Sequence, residues 1–228
     1  MSKEILEKRL EEFFKSYNTI SYQKNEIILR AEDIPQGVYY LKSGFVRLYT
    51  LSIDGKELNL TIFKPGSYFS LLWALFDLQN DYYFQTMSSV EVIRAPKDHF
   101  QSFLNVNKDI QDDLNRIVMS GYKNMMNRVE RLIFDDASTK VASILLISAR
   151  KFGNLHDTSD TIINVPLTHQ EIANFAGLTR ETTSIEMKKL EKSGHISKKH
   201  RTLVIHDMKR LEHGLDAEIS TETFPYIL

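Results

Sequence analysis

Residues 167–196, LTHQEIANFAGLTRETTSIEMKKLEKSGHI, decide how the rest of the chain is read. Thr168, with Glu171 three residues on, has the spacing of a capping box at a helix start. Ile172 and Ala173 give that first helix a small apolar face. Ala176-Gly177-Leu178 interrupts it, glycine supplying the backbone angles of a tight turn. Thr179 is placed to cap a second helix. Along it Thr183, Met187 and Leu190 recur at i, i+4 and i+7 and predict the inward face, which leaves Arg180, Glu181, Ser184, Ile185 and Lys188 opposite. Ser193-Gly194 ends the helix after a lysine-rich last turn that suits the helix dipole. This is the pattern of a helix-turn-helix, whose second helix enters the major groove of DNA. Any packed helix pair can share such a glycine turn. What separates this one is Thr-Arg-Glu-Thr at 179–182, where a purely structural helix would more often carry Glu-Lys pairs, because Arg and Glu can read base edges.

The 228 residues suffice for one large or two ordinary domains, and 42% hydrophobic with 26% charged residues marks a globular chain. No apolar run approaches the roughly 18 residues of a membrane span. The start, MSKEILEKRLEEFF, reads as a charged amphipathic helix and not as a signal peptide, so the expected location is the cytoplasm. With no cysteine, disulfides, cysteine-ligated iron–sulfur clusters and thiol switching are excluded for this chain. The net charge of −1 argues against indiscriminate nucleic-acid binding. Thr168 to Arg210, however, holds nine Lys and Arg against five acids, a local net of +4, and the tail beyond is acidic, with Glu212, Asp216, Glu218 and Glu222. That balance fits a sequence-selective binder.

Upstream, Leu6, Leu10, Phe13 and Phe14 predict an amphipathic helix over Lys3–Tyr17. Short β-like runs follow at Glu26–Leu29, Val38–Leu41, Phe45–Ile53, Lys56–Phe63 (Leu58, Leu60 and Ile62 inward) and Thr86–Ala95. Asp54-Gly55 is a strong hairpin signal, with positive φ expected at both residues. Many short strands with glycine turns and no helices between them predict a closed antiparallel barrel or jelly roll. After Pro96 the pattern turns helical: Lys97–Leu104, then Lys108–Phe134. On the long helix Val118, Tyr122, Met125, Val129 and Leu132 step by 4, 3, 4, 3, a coiled-coil seam, and Ile110, Leu114, Ile117 and Gly121 form a second stripe. Such a helix can pack on its own barrel with one side and on a partner helix with the other; a single buried core helix is the alternative. Asp135 to Thr139 reads as a hinge, Lys140–Phe152 as a helix with Val141, Ile144, Leu145 and Ile147 inward, Gly153–Asp160 as a polar loop, and Thr161–Val165 as a strand. Lys198–His200 and Thr202–His206 make a small hairpin, or wing. The fold class is therefore α+β. Residues 1–107 form a β-roll sensor-like domain, 108–136 the dimerisation helix and hinge, and 137–228 a winged helix-turn-helix.

This order of parts resembles the Crp/Fnr family of bacterial transcription regulators. The motif T-x-Q-E-I-A-x-x-x-G-L-T-R-E-T-x-S from Thr168 to Ser184 and the later K-K-L-E-K-x-G-x-I are the most specific marks. In the β-roll, Gly37, Gly44, Asp54-Gly55 and Pro65-Gly66 stand where the family places turn residues. The resemblance implies a homodimer on double-stranded DNA with two-fold symmetry, activating or repressing transcription, with RNA polymerase as a further partner. It implies that Arg180 donates to a guanine and to nearby phosphate, and that Glu181 accepts from cytosine N4. Thr179 and Ser184 lie near the backbone or base edges. Thr168, Lys188, Lys199 and His200 complete the expected DNA-contacting set, with Lys199 acting on all sequences alike. Many relatives carry Arg immediately after that Ser, and this chain has Ile185. Ile cannot make the bidentate pair with guanine but can touch a thymine methyl, so T or A is expected at that step.

Cyclic-nucleotide-binding members hold the phosphate with an Arg-Ser pair and the ribose with a Glu. Here Asn80 and Asp81 stand at the pair and Leu71 near the Glu. An aspartate would repel a phosphate, so the sequence argues against cyclic AMP. Haem finds only His99 before residue 156. No cofactor is expected and the effector stays unassigned. The segment SYFSLLWALFDLQNDYYF, Ser67–Phe84, is either the lining of a metabolite or peptide pocket or barrel core packed on the long helix. A metal enzyme on a cupin-like barrel would need clustered His and carboxylates on strands; there is no His-x-His, and the six histidines from His156 on lack ligand spacing. The chain is not expected to be an enzyme. The alternative function is a ligand-binding regulatory protein acting through protein partners.

Overall fold

The computed structural model describes residues 3–155, 160–199 and 202–213. In chain order the elements are α1 (Lys3–Phe14), β1 (Thr19–Tyr22), β2 (Ile27–Leu29), β3 (Val38–Ser43), β4 (Val46–Leu51), β5 (Glu57–Phe63), β6 (Tyr68–Phe69), α2 (Leu71–Phe76), β7 (Tyr83–Thr86) and β8 (Val90–Ala95). They continue with α3 (Lys97–Val106), α4 (Lys108–Phe134), α5 (Ala137–Phe152), β9 (Gly153–Leu155), β10 (Thr161–Ile163), α6 (His169–Ala176), α7 (Arg180–Lys192), β11 (Ile196–Lys199), β12 (Thr202–Ile205) and α8 (Met208–His213). These gather into two compact units. One runs to Leu51 and from Leu60 to Met125; the other joins Ser52–Asn59 to the chain from Met126 onward.

The first unit is an antiparallel β-roll of two four-stranded sheets, ordered β1-β8-β3-β6 and β2-β7-β4-β5. Alternation on the strands divides its apolar residues between two cores. Tyr39, Leu41, Phe69, Val90 and Val92 from the first sheet meet Leu29, Val46, Leu48, Phe63 and Phe84 from the second in the interior. Tyr39 lies flat on Phe69 with centroids 4.9 Å apart, and Phe69 on Phe84 at 5.1 Å. The opposite face of the first sheet, with Val38, Tyr68, Ile93 and Ala95, packs under Leu10 and Phe14 of α1, Phe100 and Leu104 of α3 and Ile110, Leu114 and Ile117 of α4.

The segment Ser67–Phe84 becomes β6, α2 and the start of β7, and its Tyr68, Phe69, Leu71, Ala74 and Phe84 join the two cores. A crevice between α1 and α4, lined by Leu6, Leu10, Tyr68 and Leu114, encloses about 10 Å³, the room of one water. Asn80 is buried, and its side-chain amide donates to the carbonyls of Arg30 (2.7 Å) and Tyr82 (3.0 Å), while its backbone carbonyl accepts from the Glu32 N–H at 2.7 Å. Arg47 donates through Nε and Nη2 to Gln85 (2.9 and 2.6 Å) and lies over the Tyr49 ring. His99 is tied to the Tyr17 hydroxyl at 3.1 Å.

Several local expectations are corrected. Only Gly55 has positive φ (+75°) in the β4–β5 turn. Gly55 N–H donates to Ser52 and Ser52 N–H to Lys56, each at 2.9 Å, so a turn closed by one left-handed glycine replaces the two-residue form. The run Thr86–Ala95 divides into β7 and β8, which lie in different sheets, because the chain changes sheet at Met87–Ser89. In β5 the fully buried residues are Asn59, Thr61, Ile62 and Phe63, with Leu58 and Leu60 half-buried.

In the second unit α5 is the central helix, burying Val141, Ala142, Leu145, Leu146, Ala149 and Phe152, whereas Ile147 is exposed and Ile144 half-buried. It starts earlier than expected, at Ala137, because Asp136 caps it by accepting from the Thr139 N–H at 2.8 Å. The expected five-residue hinge thus shrinks to Asp135-Asp136. The Thr139 N–H and hydroxyl hold the Asp136 carboxyl below the usual carboxylate range. The sheet β11-β12-β10-β9 covers this helix bundle, and β9 adds a strand where a polar loop was expected.

Candidate nucleic-acid interface

The helix-turn-helix of 167–196 is built from α6 and α7. Thr168 Oγ1 accepts from the Glu171 N–H, and Thr179 Oγ1 from the Thr182 N–H, both at 3.1 Å, so each helix has a side-chain N-cap. Gly177, at φ +63°, closes α6 in the left-handed region; its N–H and that of Leu178 both bond to the Ala173 carbonyl. Ile172, Ala173 and Ala176 of α6 are buried, as are Thr183 and Met187 of α7, while Leu190 is half-buried. Glu186 is buried as well, an outcome its charge did not suggest. One of its oxygens pairs with Lys189 at 2.8 Å, and the other has no protein partner among the described residues.

With that face turned inward, Thr179, Arg180, Glu181, Ile185 and Lys188 are exposed and Ser184 is half-buried. Ile185 keeps 56% of its surface in solvent. Thr168 is exposed at the start of α6, and Lys199 at the end of β11, where the wing begins. His200 lies outside the described residues, as do Arg201, His156 and, of the acidic tail, Asp216, Glu218 and Glu222, while Glu212 pairs with Arg150 at 2.6 Å. One residue missed by pattern reading stands among these groups. His169 Nδ1 is 2.9 Å from Ser184 Oγ, which links the first turn of α6 to the outward face of α7. Burial, then the positive charge of Lys198, holds this imidazole below the ordinary histidine range; Arg180 and Lys188 push the same way and Glu191 opposes them. Periodicity could not find this contact, because it depends on how two helices cross.

The helix α6 is held in its own unit by polar contacts. Asn59 donates to the Glu171 carboxylate at 2.7 Å, and Asn174, buried, donates to Glu57 at 2.9 Å. Arg128 of α4 donates to the carbonyls of Asn59 and Phe175, the latter at 3.0 Å, and lies over the Phe175 ring. Burial pushes the Arg128 guanidinium down to about 10.

On α4 the stripe Ile110, Leu114, Ile117 and Gly121 is buried. Of the expected seam residues, Tyr122 and Val129 are exposed, while Val118, Met125 and Leu132 are half-buried. Met119, Met126 and Ile133 are exposed beside them, so the solvent-facing apolar row steps 119, 122, 126, 129, 133. It has the same 3.5-residue period, turned by one position.

Two family models match: a cyclic nucleotide-binding domain over residues 19–107 and a Crp-like helix-turn-helix domain over residues 139–213. The chain belongs to the Crp/Fnr family. It is accordingly a DNA-binding transcription regulator, and the Crp/Fnr regulators are not enzymes. Among relatives of this Crp/Fnr chain, the nitrogen fixation regulation protein FixK of Bradyrhizobium diazoefficiens is 27% identical over 89% of this chain and 84% of its own length. The cAMP-activated global transcriptional regulator CRP of Pasteurella multocida is 26% identical over 86% of this chain and 94% of its own. The structure of FixK2 from Bradyrhizobium japonicum shares the fold with a TM-score of 0.78 at 22% identity, covering 90% of this chain and 99% of that one. Among the described residues no helix is long and apolar enough to cross a membrane.

Proposed function

We propose that this Crp/Fnr regulator works in the cytoplasm as a homodimer on a two-fold symmetric site, with one α7 in each of two successive major grooves. A sensor-like part (1–107), a dimerisation helix with its hinge (108–136) and a DNA-reading part (137–228) divide the work. The observation that carries this reading is the outward face of α7, where Arg180, Glu181, Ile185 and Lys188 are exposed while Thr183 and Met187 anchor the helix. Arg180 reads a guanine, Glu181 accepts from a cytosine amino group, and Ile185 meets a thymine methyl. Thr168, Thr179, Ser184, Lys188, Lys199 and His200 hold the sugar–phosphate backbone and set the register. Dimerisation uses the exposed row of α4 around Tyr122 and Val129, with Val118, Met125 and Leu132 at its margin. RNA polymerase is the further partner.

Cyclic AMP is not the effector in this reading. Asn80 stands where the family's phosphate-binding pair would stand, and its amide is spent on the carbonyls of Arg30 and Tyr82. Leu71, near the ribose position, is buried in the core. Selection from a random DNA pool tests the whole. The expected product is an inverted repeat with half-site centres about one turn apart, roughly 10–10.5 bp, carrying T or A at the step facing Ile185. Recovery of an unsymmetrical site, or of G at that step, would overturn the reading.

A further inference from the structure

Resting on the DNA-binding reading, we propose that His169 and Ser184 form a proton-loaded contact with the DNA backbone, so that this regulator takes up a proton from water at each recognition helix when it binds. The hydrogen count of the pair carries the idea. His169 Nδ1 and Ser184 Oγ are 2.9 Å apart, and no group among the described residues bonds His169 Nε2. A neutral imidazole bears one N–H. If that hydrogen is on Nδ1, it donates to Ser184; the serine O–H is then free, but Nε2 presents a lone pair, which phosphate oxygens repel. If it is on Nε2, the serine hydroxyl must donate inward to Nδ1. Either way the pair offers DNA one donor. The imidazolium bears two N–H groups: Nδ1–H donates to Ser184 Oγ, Nε2–H points to a phosphate oxygen, and the serine O–H turns outward as a second donor.

The surroundings set the two states. Arg180, Lys188 and Glu191 from α7 and Lys198 from β11 face the ring. In the free protein partial burial, and after it the three cations, favour the neutral imidazole, so the free site has a lower proton affinity than the DNA-bound one. A bound phosphate backbone neutralises those cations and supplies acceptors, so it raises the affinity of His169 for a proton. The group is therefore protonated over a wider pH range in the complex than free, and affinity falls as pH rises through the interval between the two values. Below that interval both states are protonated, and above it neither is.

The test measures the dissociation constant of the full chain on its selected duplex from pH 5.5 to 8.5 at fixed ionic strength, with wild type, His169→Gln and His169→Arg. Wild type is expected to weaken as pH rises, by up to about tenfold per pH unit for each recognition helix engaged. His169→Gln is expected to lose most of that slope, and His169→Arg to bind at pH 8 more tightly than His169→Gln with little slope. A slope in His169→Gln equal to that of wild type overturns the proposal, as does His169→Arg binding no better than His169→Gln at pH 8. Calorimetry of the wild type in PIPES and in Bis-Tris buffer near pH 6.5, whose ionisation heats differ, counts the protons without any variant, and zero uptake also overturns it. Failure of the DNA-binding reading looks different: wild type would then bind no duplex at any pH, whereas tight binding with a flat profile sinks the proton alone.

Discussion

Replacing Met126 by Gln tests how α4 pairs with a second copy. The exchange nearly preserves side-chain volume and helix propensity, and Met126 is 45% exposed on the row of Met119, Tyr122, Val129 and Ile133. The fold therefore loses little. A fully buried methionine is worth about 1.5–3 kcal/mol, so covering the exposed half contributes about 1 kcal/mol. A two-fold interface counts each residue twice, which makes about 2 kcal/mol per dimer, or about a 30-fold weaker association. Sedimentation equilibrium over a concentration series gives the constant, and a melting curve of the same sample shows that the monomer stays folded. Ile133→Gln, at 67% exposure, should act the same way. Dimer constants within about threefold of wild type for both variants would refute the seam, since at least one of them must lie at the contact if the row 119–133 is buried between copies.

Ile185→Arg should leave stability within about 0.5 kcal/mol, because more than half of the side chain already lies in solvent, and should move the facing base from T or A to G by about 1–3 kcal/mol in competition binding. Asp136→Ala should cost about 1 kcal/mol in denaturant unfolding at pH 7 through loss of the α5 cap. Because the folded carboxyl titrates below its unfolded value, the advantage of wild type is complete above the unfolded pKa and disappears as pH falls through the folded one; an equal difference at pH 7 and pH 2 would refute this. Arg128→Met should lower stability by about 1–3 kcal/mol, leaving the carbonyls of Asn59 and Phe175 without that donor, as read by thermal melting. Cyclic AMP at millimolar concentration should not raise the melting temperature; a clear increase would refute the assignment of Asn80 as a structural residue.

The bounds of α4 and the caps at Thr168 and Thr179 were legible because each rests on neighbours in sequence: an apolar period, or a hydroxyl three residues before the N–H it accepts. Which of the two adjacent apolar stripes of α4 stays in solvent was not. Adjacent stripes 118-122-125-129-132 and 119-122-126-129-133 share Tyr122 and Val129, and only the packing of Ile110, Leu114 and Ile117 on the roll decides which neighbours stay in solvent. Asn80 read as a gap in a ligand motif, whereas its amide closes a loop with Arg30, fifty residues away. Burial of Glu186 and the His169–Ser184 contact depend on how α7 lies on its neighbours, which no periodicity encodes. The early start of α5 was legible in principle, since Asp136 precedes Thr139 by the capping distance, but Ser138-Thr139 resembles loop composition.

The loop closed by Asn80 has a wider consequence. A carboxamide attached to the chain is always present at its two carbonyl partners, at an effective concentration that a dissolved metabolite rarely reaches. In the reading proposed above, the order of this part of the roll is therefore independent of the supply of any cyclic nucleotide. On that reading, a segment that in a cyclic-nucleotide-responsive roll would act as a gauge acts as a fixed strut, and variation in the cell's state is registered through residues away from Asn80.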